Sequence, residues 1–309
     1  MLNDPLAAQM GLLVMRTEDM FAQLTKPEQE KLDPPLDPAT AAAYDLKGYL
    51  AGNDALVDFD PVTQKRRLRP STKTVFYGFV ANSKANPHQY VAVIRGTGNL
   101  LEWIKDAEFT PVPHPLSGGH VEMGFDSIYQ TLKYRPYADG RFTGDWQRAA
   151  SAIAQAVPDG KVTVVGHSLG STLATYLALD LAAEQHMRDR VTTCMFASPR
   201  PGDTPFVDFF DSTLTTYTLY NYSRDVVPMV PLLFGYSSLP RAIRITPDNA
   251  QADIRYNPLL PLEIKNLACQ HHAVCYAAML DYHAADWAAL PPIDQGCARC
   301  IVAPKTADM

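Results

Sequence analysis

Basic residues are few and scattered in this chain of 309 residues, where 27 Lys and Arg face 33 Asp and Glu for a formal net charge of -6. A surface that tracks phosphates needs clustered cations, so nucleic acid is not an expected partner. The one basic cluster, Lys65-Arg66-Arg67-Leu68-Arg69, reads as a solvated loop. No apolar run approaches the roughly 18 residues that a spanning helix requires, so no transmembrane segment is expected. Five cysteines are too sparse for a disulfide scaffold. The C-x-x-C at Cys297 and Cys300 has no second pair at zinc-finger spacing, and no metal or other cofactor is expected. With Cys269 and Cys275 nearby, free thiols, disulfides tying the tail to the 269–275 stretch and a four-thiolate site all stay open. The first fifteen residues carry Asp4 and no positive region of the kind that opens a secretory leader, which leaves both a secreted and a cytoplasmic location open.

What is present is apolar material, 47% of the residues, enough for a full core in one domain of generous size. Residues 1–72 read as a helical lead-in broken by Pro27, Pro34, Pro35 and Pro38, with Asp37 as the N-cap of a helix that runs on through A-T-A-A-A-Y-D-L-K-G-Y-L. The β-formers at 74–81 and 89–96 predict a pair of strands. Helical patterns follow at 124–134 and 145–157. Strand 161–166, helix 170–186, strand 191–197, helix 203–212 and strand 215–222 then alternate. That order implies crossover connections, a largely parallel central sheet and helices on both faces. Residues 228–262 are loop-rich, and 284–309 form a tail. One domain over 1–309 is the expectation.

The chemistry is concentrated in K-V-T-V-V-G-H-S-L-G, residues 161–170. A strand that stops and a helix that starts within about two residues force the intervening serine into a strained backbone conformation, and the flanking glycines remove Cβ atoms that would collide there. Such a corner presents Ser168 as a nucleophile, and the N–H of Leu169 at the helix start suits an oxyanion. His167 is adjacent to the serine and points elsewhere, so it reads as a packing or hydrogen-bonding residue.

G-H-S-L-G (166–170) together with four further segments resembles the class 3 lipases, the family of the filamentous-fungal triacylglycerol lipases. These segments are V-I-R-G-T-G-N-L-L-E-W-I-K-D (93–106), H-V-E-M-G-F-D-S-I-Y (120–129), F-A-S-P-R-P-G-D (196–203) and N-Y-S-R-D-V-V-P-M-V-P (221–231). The resemblance covers about 75–276. It implies an α/β-hydrolase fold, a mostly parallel sheet and a short helical lid in 97–119. It further implies Ser168 as nucleophile, Asp225 as the acid, and Thr97 with Leu169 as the oxyanion hole. Asp225 also follows a predicted strand, which places it at the carboxyl edge of the sheet where sites are built. In this fold the base follows the acid in the chain, leaving His271, His272 and His283. The family's histidine five residues before a tyrosine selects His271 ahead of Tyr276, with His272 as the alternative. His283 reads as a histidine on a helix with Tyr282 and Trp287.

Leu100, Leu101, Trp103 and Ile104 fall on one stripe of a short helix, which suits a lid that swings aside at a lipid surface in the resembled lipases. The function so implied is a serine carboxylic-ester hydrolase acting on acylglycerols or other medium to long acyl esters, with an ester or lipid substrate as partner. An esterase on phospholipid, aryl or polyester substrates, and an inactive lipid- or protein-binding relative, are the alternatives. The apolar stretches 228–236 and 256–262 are candidates for an acyl pocket.

Overall fold

Runs of β-branched and small apolar residues at 89–94, 161–167 and 191–196 have little polar surface to offer water, and they become the buried middle of a sheet. A computed structural model describes residues 1–24, 31–60, 62, 64–97, 109–231, 235–255, 264–290 and 297–304. In chain order the elements begin with α1 (Pro5–Ala22), α2 (Pro38–Ala43), β1 (Tyr44–Asp60), β2 (Lys65–Ser83) and β3 (Gln89–Ile94). Two short strands follow, β4 (Pro111–Pro113) and β5 (His120–Glu122), then α3 (Met123–Tyr129), β6 (Lys133–Ala138), β7 (Arg141–Phe142), β8 (Gln147–Arg148) and α4 (Ala149–Ala156). The alternating part is β9 (Lys161–His167), α5 (Leu169–Ala183), β10 (Val191–Phe196), α6 (Thr204–Thr213) and β11 (Thr218–Tyr222). The chain closes with β12 (Ala242–Ile245), β13 (Asp253–Ile254), α7 (Ile264–His271), α8 (Ala273–Leu280) and β14 (Ile301–Val302).

The main sheet has the order β12-β11-β10-β9-β3-β2-β1-β6-β7, with β8 beside β6. Its five strands from β12 to β3 are parallel, joined by crossovers, while β2, β1 and β6 extend it antiparallel. This is the largely parallel sheet that the strand and helix alternation predicts, and it agrees with the α/β-hydrolase fold that the resemblance implies.

Period-2 alternation assigns neighbouring residues of one strand to opposite faces. Ala92 and Val164 pack on one side with Leu173, Leu177, Ile153 and Phe206, under α5, α4 and α6. Val93 and Val165 pack on the other with Leu12, Leu13, Tyr276 and Met279, under α1 and α8. Every residue from Leu169 to Ala182 is buried, so α5 is enclosed on all sides, and its polar Ser171, Thr175 and Asp180 are hydrogen-bonded within the fold. Burying each of its leucines contributes roughly 1.5–3 kcal/mol. A Cβ on Gly11 would stand 3.3 Å from that of Ala277, so α1 lies close along α8.

The N-terminal expectation requires correction. Asp37 does cap a helix, accepting from the N–H groups of Ala39 and Thr40, but that helix ends at Ala43 and the chain becomes the long strand β1. The 1–72 region therefore contributes a hairpin to the sheet and one helix to its cover. The basic cluster lies in β2 and not in a loop: Leu68 is buried, and Arg69 Nε pairs with Asp58 Oδ2 of β1 at 2.8 Å. The helix expected over 124–134 ends at Tyr129, and strand β6 starts at Lys133. His283 sits in an exposed turn after α8, not on a helix, with its N–H donating to Asp281 Oδ1 at 2.9 Å. Among the described residues, no helix is long and apolar enough to cross a membrane.

Candidate active site

Strand β9 gives way to α5 at a single residue. Ser168 takes φ 59° and ψ -130°, a positive φ that L-residues rarely adopt and that persists only where the surroundings enforce it. They do so on several sides. The Ser168 N–H donates to Phe196 O at 3.0 Å, its carbonyl accepts from Ser171 N at 2.9 Å, and Ser171 Oγ holds Gly166 O and Phe196 O at 2.8 and 2.7 Å. The bracketing glycines are required by close approach: a Cβ on Gly166 would lie 2.3 Å from Gly170 O, and one on Gly170 would lie 2.4 Å from Ile94 O. Ser168 makes no side-chain cap to its own helix, which leaves its hydroxyl for another partner.

That partner is His271, at the end of α7. Its Nε2 lies 2.8 Å from Ser168 Oγ, and its Nδ1 lies 2.9 Å from Asp225 Oδ2. An ionised carboxylate only accepts, so Nδ1 carries the proton and Nε2 is left to accept from the serine. Asp225 follows β11 in a tight turn, its N–H bonded to Tyr222 O at 3.0 Å, and both of its oxygens are engaged. Oδ1 accepts from Val227 N at 2.9 Å, and Oδ2 accepts from Tyr276 Oη–H at 2.8 Å as well as from His271. Tyr276 Oη in turn accepts from Tyr222 N at 2.9 Å. Burial, then the charge of Asp225, push the Tyr276 phenol well above its ordinary pKa, so it stays a donor. Ser168, His271 and Asp225 are 2%, 7% and 3% exposed, which makes this a dry, low-dielectric cluster.

The alternative base faces elsewhere. His272 caps α8, its Nδ1 accepting from Val274 N at 3.3 Å. His167 also points away from Oγ, with Nε2 against the carbonyl of His271 at 2.5 Å. Leu169 opens α5 directly after the serine and is fully buried. Thr97 follows β3 and is half-buried, and the preceding Gly96 abuts Ser168: a Cβ there would stand 3.2 Å from Ser168 Cβ. Two of the remaining motifs meet as well. His120 Nδ1 pairs with Asp203 Oδ2 at 2.9 Å, and Asp203 caps α6 through Phe206 N at 3.0 Å. The stripe Leu100, Leu101, Trp103 and Ile104 lies outside the described residues, as do 232–234 and 256–262 of the apolar stretches. In the tail, Cys269 is bridged to Cys300, with the two Cα atoms 6.0 Å apart.

Three contributors escape a reading of the sequence. Tyr276 enters that reading only as a marker of spacing, although a tyrosine five residues after a histidine on a short helix is a signal for such a donor. Arg95 is buried, with Nε donating to Phe76 O at 2.7 Å, Nη1 donating to Gly96 O at 2.8 Å and its guanidinium 3.6 Å from the ring centre of Phe21. Glu18, on α1, reaches the same loop from a segment outside all the motifs.

Residues 91–235 match the family described as lipase (class 3). Phospholipase A1-II 7 of Oryza sativa subsp. indica is 33% identical over 210 residues, which are 60% of this chain and 50% of that protein. The lipase of Rhizomucor miehei is 27% identical over 229 residues, 71% of this chain and 58% of that protein. The chain thus spans between half and three fifths of the length of these two relatives. Among solved structures, the Rhizomucor miehei triacylglyceride lipase shares the fold at a TM-score of 0.50 and 21% identity, over 77% of this chain and 78% of that one.

Proposed function

Taking as premise that residues 91–235 are of the class 3 lipase family, on an α/β-hydrolase fold, we propose that this protein is a serine carboxylic-ester hydrolase cleaving acylglycerols or other medium to long acyl esters. The observation that carries the reading is the chain of hydrogen bonds from Ser168 Oγ through His271 to Asp225, at 2.8 and 2.9 Å. In the proposed reaction His271 takes the Ser168 proton as Oγ attacks the ester carbonyl, while Asp225 holds the imidazole tautomer and stabilises the imidazolium. The N–H groups of Thr97 and Leu169 receive the oxyanion, each contributing roughly 3 kcal/mol in the transition state. His271 then protonates the departing alcohol. An acyl group remains on Ser168 until a water, deprotonated by the same imidazole, releases it as the acid.

Ser168 is only 2% exposed, so a substrate reaches it after covering atoms move. The stripe Leu100, Leu101, Trp103 and Ile104 is our proposed cover, displaced at a lipid surface where its apolar side chains are no longer exposed to water. We also take 1–309 as one domain, which the shared core of α1, α8 and the parallel strands supports. Phospholipid is the second substrate class, favoured by the likeness to a rice phospholipase A1.

Hydrolysis of tri-, di- and monoacylglycerols and of phosphatidylcholine, each followed through its solubility limit beside Ser168→Ala, tests the proposal. Turnover lost in the variant and rising once an interface forms is the expected result. Turnover that survives in the variant would remove Ser168 from its role, and a smooth curve through the solubility limit would remove the moving cover.

A further inference from the structure

The site is fastened from below by a residue outside every motif. Glu18, on α1, lies 149 positions from His167 and 78 from Gly96, and it precedes the family match. Its Oε1 stands 3.3 Å from His167 Nδ1 and 3.3 Å from Gly96 N, so one carboxylate oxygen joins two donors from different parts of the chain. Each donor leads to one half of the proposed machinery. His167 Nε2 continues to the carbonyl of His271, the residue whose ring faces Ser168. Gly96 N begins the loop to Thr97, and the carbonyl of that same residue accepts from Arg95 Nη1 at 2.8 Å. In a trans peptide the Gly96 C=O and the Thr97 N–H point in opposite directions, so an anchored carbonyl aims the following amide. The Cβ that Gly96 lacks would stand 3.3 Å from Glu18 Oε1 and 3.2 Å from Ser168 Cβ, which measures how closely the carboxylate is set beneath the nucleophile.

We propose that Glu18 is a positioning residue of the reaction, a single carboxylate that holds the oxyanion loop through Gly96 and the base through His167 in one register. The inference rests on the function proposed above. Glu18 touches no reacting atom. Its effect is geometric, and a displacement of about 1 Å in either half is enough to lower a rate by up to a hundredfold.

The electrostatics fit that arrangement. Burial alone would raise the Glu18 carboxyl, yet the hydrogen bond and charge of His167, the charge of His272 and the Gly96 N–H hold it at about 2. Burial would likewise lower His167, but the Glu18 hydrogen bond and charge, the His271 carbonyl and the charge of Asp225 raise it above its ordinary value. An imidazolium donates from both nitrogens, which is what a bridge between a carboxylate and a carbonyl requires. The groups facing this pair are Asp225, His271 and His272, Arg95 through its charge, and the ring of Tyr276, 6.2 Å from that of His167.

The test compares Glu18→Gln, which keeps the shape and removes the charge, with Met10→Ala, which weakens the packing of the same helix and leaves Glu18 in place. Ester hydrolysis, thermal unfolding and the 15N signals of the histidine rings are read for each, with Ser168→Ala as reference. Glu18→Gln is expected to lower kcat about tenfold or more with KM within about twofold, and to move the His167 titration downward. Met10→Ala is expected to lower Tm and spare kcat. If Met10→Ala lowers kcat as far as Glu18→Gln does, Glu18 only tethers a helix and the proposal fails. Wild-type kcat in Glu18→Gln also overturns it. Should Glu18→Gln not fold, the wild-type protein decides: at about pH 6, below the ordinary histidine value, both His167 nitrogens should carry protons, and a single proton refutes the bridge. Activity that persists in Ser168→Ala would instead refute the hydrolase reading, a distinguishable outcome.

Discussion

His271 Nε2 and Ser168 Oγ stand 2.8 Å apart although they lie 103 positions apart in the chain. The contact exists because Ser168 sits at the joint of β9 and α5 and His271 closes α7, and because Asp225, itself fixed through both oxygens, turns the imidazole towards the hydroxyl.

The two adjacent histidines should separate cleanly in kinetics. His271→Ala is expected to lower kcat by about three orders of magnitude or more, as loss of a triad base does. His272→Ala removes a helix cap and a charge facing Glu18 but no group within reach of Ser168 Oγ, so it should cost about 1 kcal/mol of stability and leave kcat within about threefold. Steady-state rates with a p-nitrophenyl ester decide, and the reverse pattern would transfer the role.

Tyr276→Phe probes the support of the acid. It removes the donor at 2.8 Å from Asp225 and leaves the buried Tyr222 N–H without its acceptor. An orphaned buried donor costs about 1–3 kcal/mol, so Tm should fall. A drop in kcat of about tenfold or less should accompany it, since the His271 contact to Asp225 remains.

Gly170→Ala should disrupt the corner from behind. The added methyl would meet Ile94 O at 2.4 Å and Arg95 O at 2.6 Å, both backbone atoms that cannot rotate aside. Overpacking of this kind costs about 1–3 kcal/mol, and the strand that moves carries the loop to Thr97. Lower Tm together with lower kcat is the expected pair, measured by calorimetry and ester hydrolysis. Unchanged kcat would show that the Thr97 loop does not matter to the rate.

The Glu18 and His167 pair gives a signed pH dependence. Glu18 is depressed from 4.5 to about 2, so its contribution is full above pH 4.5 and is lost as pH falls through 2. His167 is raised above 6.5, so its contribution is full below pH 6.5 and is lost as pH rises through its folded value. The difference in Tm between wild type and Glu18→Gln should therefore be largest between pH 4.5 and 6.5 and shrink on both sides. A difference flat across pH would contradict the pairing.

Much of the parallel half of the fold was legible because local signals and tertiary context agree there. The strand predicted over 161–166 is β9, the helix over 170–186 is α5, and G-x-S-x-G marks the joint between them. The strand read over 74–81 is the latter part of β2, paired with β3 as expected, but its hairpin with β1 was not legible. Its register shifts between Leu46 and Gly48, Leu50 and Ala51, and Asn53 and Ala55 break the period-2 alternation by which a strand is read, and the alanine run before it favours a helix. The pairing of Ser168, His271 and Asp225 could be anticipated from ordered motifs. Glu18 could not, since its contacts cross 149 and 78 positions and a lone glutamate on an amphipathic helix reads as surface.

The most direct test of the account is covalent: the protein is treated with a long-chain p-nitrophenyl phosphonate at a detergent interface, and the peptides are mapped by mass spectrometry. One adduct per chain on Ser168, gained in step with the loss of ester hydrolysis, is the predicted result. Hydrolysis that disappears while Ser168 stays unmodified and another residue carries the phosphonate would contradict it.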